Sequence, residues 1–188
     1  LSAYNVAIGN STMAGAMNAS NYNTMVGYLA GNDITTADST VAIGALALEK
    51  CTEGNFNIAV GYRAGDAITT GDDNIFIGTD VGGSSQDVDK ATIIGHGAGG
   101  GVLDSGADGS VFIGASAGAA ITSGARNLAI GYSSIAANTT GGDNVMIGYN
   151  AAVSANDAGF DYNIGIGNYV FDGVASSVDA ANNVAIGH

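Results

Sequence analysis

Proline and tryptophan are absent from this 188-residue chain, cysteine occurs once, and four basic residues stand against 17 acidic ones. Each shortage excludes something. A lone cysteine, Cys51, allows no intramolecular disulfide and no cysteine cluster for zinc or iron–sulfur chemistry. Lys50, Arg63, Lys90 and Arg126 are scattered singly in a chain of formal charge -13, which argues against nucleic acid and against anionic membrane surfaces, since clustered Lys and Arg hold both. No apolar run approaches the length of a bilayer-spanning helix, and Leu1-Ser2-Ala3-Tyr4 carries no basic segment of a signal peptide, so no membrane insertion is expected here. Composition does not shift along the chain, so a single β-repeat domain over residues 1–188 is expected. With no initial methionine and a motif running up to His188, it reads as a fragment of a longer fibrous chain.

What the chain has is glycine, 31 residues of it, and a repeat. A pentapeptide of the form Asn-aliphatic-x-Ile-Gly recurs with its glycine at Gly9, Gly27, Gly44, Gly61, Gly78, Gly95, Gly114, Gly131, Gly148, Gly167 and Gly187. Six of the ten spacings are 17 residues and the others are 18 to 20. Such a unit is too short for the helix pairs of α-solenoids or a propeller blade. Val, Ile and Thr crowd the motif and no 3.6-residue apolar period persists, so the coils are expected to be β. The fold class is therefore all-β, a parallel β-solenoid of about eleven coils of 17–20 residues. Length variation falls in Gly-, Thr- and Asp-rich turns such as Ile68-Thr69-Thr70-Gly71-Asp72-Asp73.

Alternation along a strand predicts which side chains share a face. The residues flanking the motif's centre, stacked as Ile8, Val26, Ile43, Val60 and Ile77, are expected to form the interior. A second short strand is expected after the glycine, with Ala30, Ala47, Ala64, Ala98, Ala117 and Ala151 facing the Ile column. The residues between, from Leu29 and Arg63 to Asn150, should face solvent. Asn5, Asn23, Asn57, Asn74, Asn127, Asn144, Asn163 and Asn183 open the motif at the turn-to-strand corner. There an amide can bond backbone groups or the equivalent Asn one coil away. The central residue would then point outward, and in eleven coils it is never polar. Its large members, Met25, Phe76, Ile93, Phe112 and Met146, are the expected oligomer interface, because a long exposed apolar stripe marks lateral self-association.

The string Asn-Val-Ala-Ile-Gly at residues 5–9 and 183–187 resembles the head repeats of trimeric autotransporter adhesins. The longer unit Asn57-Ile58-Ala59-Val60-Gly61-Tyr62-Arg63-Ala64-Gly65 resembles repeats of bacteriophage tail fibres. The resemblance covers essentially the whole chain and implies a left-handed β-roll, a side-by-side homotrimer and an extracellular place on a virion fibre or bacterial cell surface. It also implies a role as a rigid spacer or host-attachment module, with a phage tail fibre preferred over an adhesin head. The unit of 17 or more residues is longer than the adhesin repeat.

Catalytic chemistry is sparse. His96 and His188 take the repeat position that Tyr fills at Tyr28, Tyr62, Tyr132 and Tyr149, and Gly97-Ala98-Gly99-Gly100-Gly101 lacks the Gly-Lys-Ser/Thr that completes a phosphate loop. A β-helical polysaccharide-degrading enzyme would need paired acids on a strand face, whereas the acids fall in turns. No enzyme activity, cofactor or metal site is therefore expected. Calcium ligation by the acidic turns is the weaker alternative to solvated turns. The four tyrosines are candidate contacts for a host-surface glycan or protein receptor, although cross-strand packing accounts for them equally well.

Overall fold

The computed structural model describes residues 2–155, 159–174 and 180–188. Eleven three-residue strands follow one another: β1 (Val6–Ile8), β2 (Thr24–Val26), β3 (Val41–Ile43), β4 (Ile58–Val60), β5 (Ile75–Ile77), β6 (Thr92–Ile94), β7 (Val111–Ile113), β8 (Leu128–Ile130), β9 (Val145–Ile147), β10 (Ile164–Ile166) and β11 (Val184–Ile186). They form a single parallel sheet in sequence order, each strand centre paired with the next, as Ala59 is with Phe76 and Phe76 with Ile93. The chain is thus an all-β parallel solenoid. Among the described residues a single 3₁₀ turn, Ser105–Ala107, interrupts one connection.

The strands are short because the backbone leaves the extended region on both sides. Two residues before each strand φ is left-handed, as at Tyr22 (61°), Phe56 (58°) and Arg126 (56°). The motif glycine ends the strand with φ between 130° and 144°, where a Cβ is not tolerated. Space forbids one as well, since a Cβ built on Gly61 would lie under 3.0 Å from the Gly78 carbonyl. The expected second strand does not form. Beyond the glycine φ is left-handed at Arg63 (53°) and again at Gly65 (57°). The Arg63 N–H donates to Ala45 O in the coil before, and the Gly65 N–H to Val81 O in the coil after, so this segment is a hydrogen-bonded turn.

The interior is the reverse of the expected one. Met25, Phe76, Ile93, Phe112 and Met146 are wholly buried within the single chain, so these five are core and not an oligomer interface. The flanking aliphatics face out, Ile43 and Ile77 being 42% and 39% exposed. Size compensation explains the inversion. Four of the five large central residues are followed six positions later by Gly, in Met25/Gly31, Phe76/Gly82, Ile93/Gly99 and Phe112/Gly118, where an added Cβ would strike that side chain, and Met146 is followed by the small Ala152. A small one is followed by a large side chain in Ala42/Leu48, Ala129/Ile135 and Gly165/Phe171, whereas beside Ala59 and Gly65 the space is taken by Phe76 and Leu48 of the adjacent coils. Such exchange is what a close-packed interior requires. The uniform Ile column has no compensating partner. The alanines Ala30, Ala47, Ala64, Ala98, Ala117 and Ala151 are buried as expected, while Arg63 is exposed and Leu29, Leu46, Asp80, Ser116, Ser133 and Asn150 are half-buried.

Asparagine shares the inward parity of the central residue. Asn57, Asn74, Asn144 and Asn163 are fully buried. The Asn74 side-chain amide donates to Asn57 Oδ1 (3.0 Å) and to Val88 O (2.6 Å), while Asn57 Oδ1 also accepts the Asn74 N–H (3.0 Å). Asn127, Asn144, Asn163 and Asn183 form a second run of the ladder, separated from the first by Ala91 and Ser110 in the same column. The expected amide ladder is present, and it ties each turn to the strand it feeds.

Two outcomes follow from this core. Phe112→Ala empties the space left by Gly118 and should lower the unfolding free energy by about 3–5 kcal/mol, read as a drop in the thermal midpoint. Burial, foremost, pushes the Cys51 thiol from 9.0 up to about 12. Its stabilising effect is complete below about pH 9 and is lost as pH rises towards 12. In folded protein at pH 8 the thiol should not react with Ellman's reagent, and denaturant should expose it.

Candidate functional site

The outer face of the sheet is built by parity. With the central residue inside, the first and third residues of all eleven strands point out, giving twenty Val, Ile or Leu side chains and two threonines, Thr24 and Thr92. None is charged. In-register stacking shields the flanks of each side chain and leaves its tip free, so Ile58, Ile77 and Ile166 are each 39% exposed. Exposed apolar patches of this continuity mark interaction surfaces.

Aromatic rows border this face on both sides. The residue after the motif glycine supplies one row, in which the four anticipated tyrosines Tyr28, Tyr62, Tyr132 and Tyr149 are all exposed. Tyr132 and Tyr149 stack on each other at 5.4 Å between centroids and 13° between planes, and Tyr149 meets the edge of Tyr169 at 5.5 Å. Burial against its neighbours raises the Tyr169 phenol above its ordinary value. In this row only Tyr132 and Tyr149 cover one another's facing sides in this way. Tyr28 and Tyr62 stand apart with Ala45 between them.

The second border went unread in the sequence. It lies two residues before each strand and contains the exposed rings of Tyr4, Tyr22, Phe56 and Tyr162. Tyr4 and Tyr22 stack at 5.2 Å and 6°. Its signal was a constant offset of five residues before the motif glycine. Arg126 and Asp143 occupy the same row in successive coils and form a bidentate pair at 2.6 and 2.7 Å. That hydrogen bond holds the Asp143 carboxyl below its ordinary range and the guanidinium above its own.

The turn acids have a backbone role. Asp38 and Asp72 accept the N–H groups of Asn21 and Asn55 one coil before, and Asp89 and Asp108 accept those of Asp72 (2.7 Å) and Asp89 (2.9 Å). Among the described residues no group of three or more His, Cys, Asp or Glu is placed to hold a metal ion. A shallow cleft of about 230 Å³ beside Tyr169, Phe171 and His188 has no carboxylate in its lining, and so lacks the acid pair that glycoside hydrolysis uses. Because Asn55 serves in the same column, Asp72→Asn should keep the thermal midpoint, whereas Asp72→Ala should cost about 1 kcal/mol and lower it. Adding a chelator should move neither midpoint.

Comparison of the chain with protein-family models, with curated proteins and with solved structures finds no match. The function is therefore read from the apolar face and its aromatic borders.

Proposed function

We propose that this chain is a rigid segment of an extracellular homotrimeric fibre, serving as spacer or host-attachment module in the manner of a phage tail fibre. The observation that carries the reading is the uncharged face, aliphatic at all but Thr24 and Thr92, that runs across eleven strands. Eleven strands at ~4.8 Å give a face roughly 50 Å long. From the motif Asn to the residue after the glycine is five steps of ~3.3 Å, about 17 Å. The product, on the order of 800 Å², equals what one partner contributes to a standard stable interface.

Geometry favours three copies. Three strips about 17 Å wide, closed as a triangular prism, stand ~5 Å from the common axis, half the ~10 Å at which sheets pack face to face. The aliphatic rows then fill the prism and the borders meet at its corners. Left-handed winding belongs to this proposal through the resemblance to adhesin and tail-fibre repeats. Net charge of -13 keeps the outer turns solvated and repels polyanions. The head of a bacterial trimeric adhesin uses the same assembly and is the second placement of this segment. A host-surface glycan or protein is the partner implied by an attachment role.

Sedimentation equilibrium tests the assembly. The wild-type chain should weigh three times its 18.4 kDa at micromolar concentration. The double variant Ile77→Asp/Ile113→Asp buries two charges on the axis and should sediment as a monomer with an unchanged far-ultraviolet spectrum. A monomeric wild-type chain would sink the proposal.

A further inference from the structure

The register that builds the core also stacks surface side chains, and at two places it brings tyrosines face to face. Tyr4 and Tyr22 lie 5.2 Å apart between centroids and 6° between planes, Tyr132 and Tyr149 5.4 Å and 13°. All four rings are exposed. Backbone rungs hold the coils together beside each pair, the Tyr22 N–H donating to Ala3 O and the Asn150 N–H to Tyr132 O. The remaining tyrosines are placed differently. Tyr169 meets Tyr149 at 72°, and Tyr28, Tyr62 and Tyr162 contact no other ring among the described residues.

Two phenols stacked in parallel are arranged for oxidative coupling. A one-electron oxidant takes an electron from each, the hydroxyl proton leaves to solvent, and the resulting radical is shared between the oxygen and the ring carbons ortho and para to it. A C–C bond then forms between ortho carbons of the two rings. The hydrogens on those carbons shift to the oxygens and restore both phenols. The pair has lost two electrons and two protons, which one hydrogen peroxide, acting through a peroxidase, takes up as two waters. Parallel faces turn the π lobes of one ring towards those of the other, the overlap that the new bond needs, whereas the edge-on Tyr149/Tyr169 contact does not. Stacking within one chain also replaces a bimolecular encounter by a contact already made. We infer that Tyr4/Tyr22 and Tyr132/Tyr149 are oxidative modification sites, each pair joined by peroxide-driven coupling into an intrachain dityrosine. The partners stand 18 and 17 residues apart, so each bond ties one coil to the next. With a single cysteine the chain has no internal disulfide to do this. The tie needs no second copy and does not depend on the self-association proposed above.

The full chain would be treated with a haem peroxidase and limiting hydrogen peroxide. Dityrosine fluorescence, a denaturing gel and the masses of tryptic fragments read the product. Cleavage after Lys50, Arg63, Lys90 and Arg126 leaves Tyr4, Tyr22 and Tyr28 in residues 1–50, Tyr62 in 51–63 and the other four in 127–188. The wild type should run as a single chain, with two hydrogens lost from each terminal fragment and none from 51–63. Tyr22→Phe and Tyr149→Phe keep a ring in each stack, as Phe56 does in the row of Tyr22. Each should lose about half of the fluorescence, and the double variant about nine-tenths or more, because only the contact pairs couple efficiently. Tyr28→Phe/Tyr62→Phe and Tyr169→Phe should retain it. Products of two or more chains in place of the single-chain one, undiminished fluorescence in the double variant, or no dityrosine under conditions that couple free tyrosine would overturn the inference.

Discussion

Parallel register between coils is the constraint from which the rest of the molecule follows. Each strand pairs with the same three positions of its neighbours, and backbone N–H groups in the turns also reach one coil forward or back. A residue type that suits one level therefore suits all, and sequence positions become columns. The column of glycines closes against the next glycine's carbonyl. The column of asparagines passes hydrogen bonds from coil to coil, and the column of aspartates takes the N–H groups that the turn would otherwise leave without a partner. The absence of proline fits this arrangement. A residue without an N–H would break a rung, and one with φ fixed near -65° could not enter the left-handed positions that every described coil contains.

The periodicity was legible because it rests on residues with no substitute. Gly61 and its equivalents combine a φ closed to side chains with a contact closed to a Cβ, so the motif survives at every level. The Asn ladder was legible because eight of the eleven coils keep the residue, Thr40, Ala91 and Ser110 taking its place in the others. The facing of the strands was not. Ile8, Ile43 and Ile77 look like core by residue type, whereas Ala42, Ala59 and Gly165 look dispensable. Hydrophobicity ranks the first group as interior, but packing complementarity decides for the second. The deciding signal was the six-residue partnership of Phe112 with Gly118 and of Ala129 with Ile135, which hydropathy alone does not weigh.

The post-glycine segment misled for a different reason. Small residues at regular spacing suggested alternation, and Ala64 is indeed buried, yet Arg63 and Gly65 on either side of it share left-handed φ. Neither Arg63 nor the β-branched Ile135, also left-handed, announces such a backbone from its residue type. Each pays a local conformational cost that hydrogen bonds to the adjacent coils offset.

The repeated columns leave the number of coils unspecified. Inserting or deleting one whole coil would leave the cross-section and the hydrogen-bond columns intact, so length is free to drift.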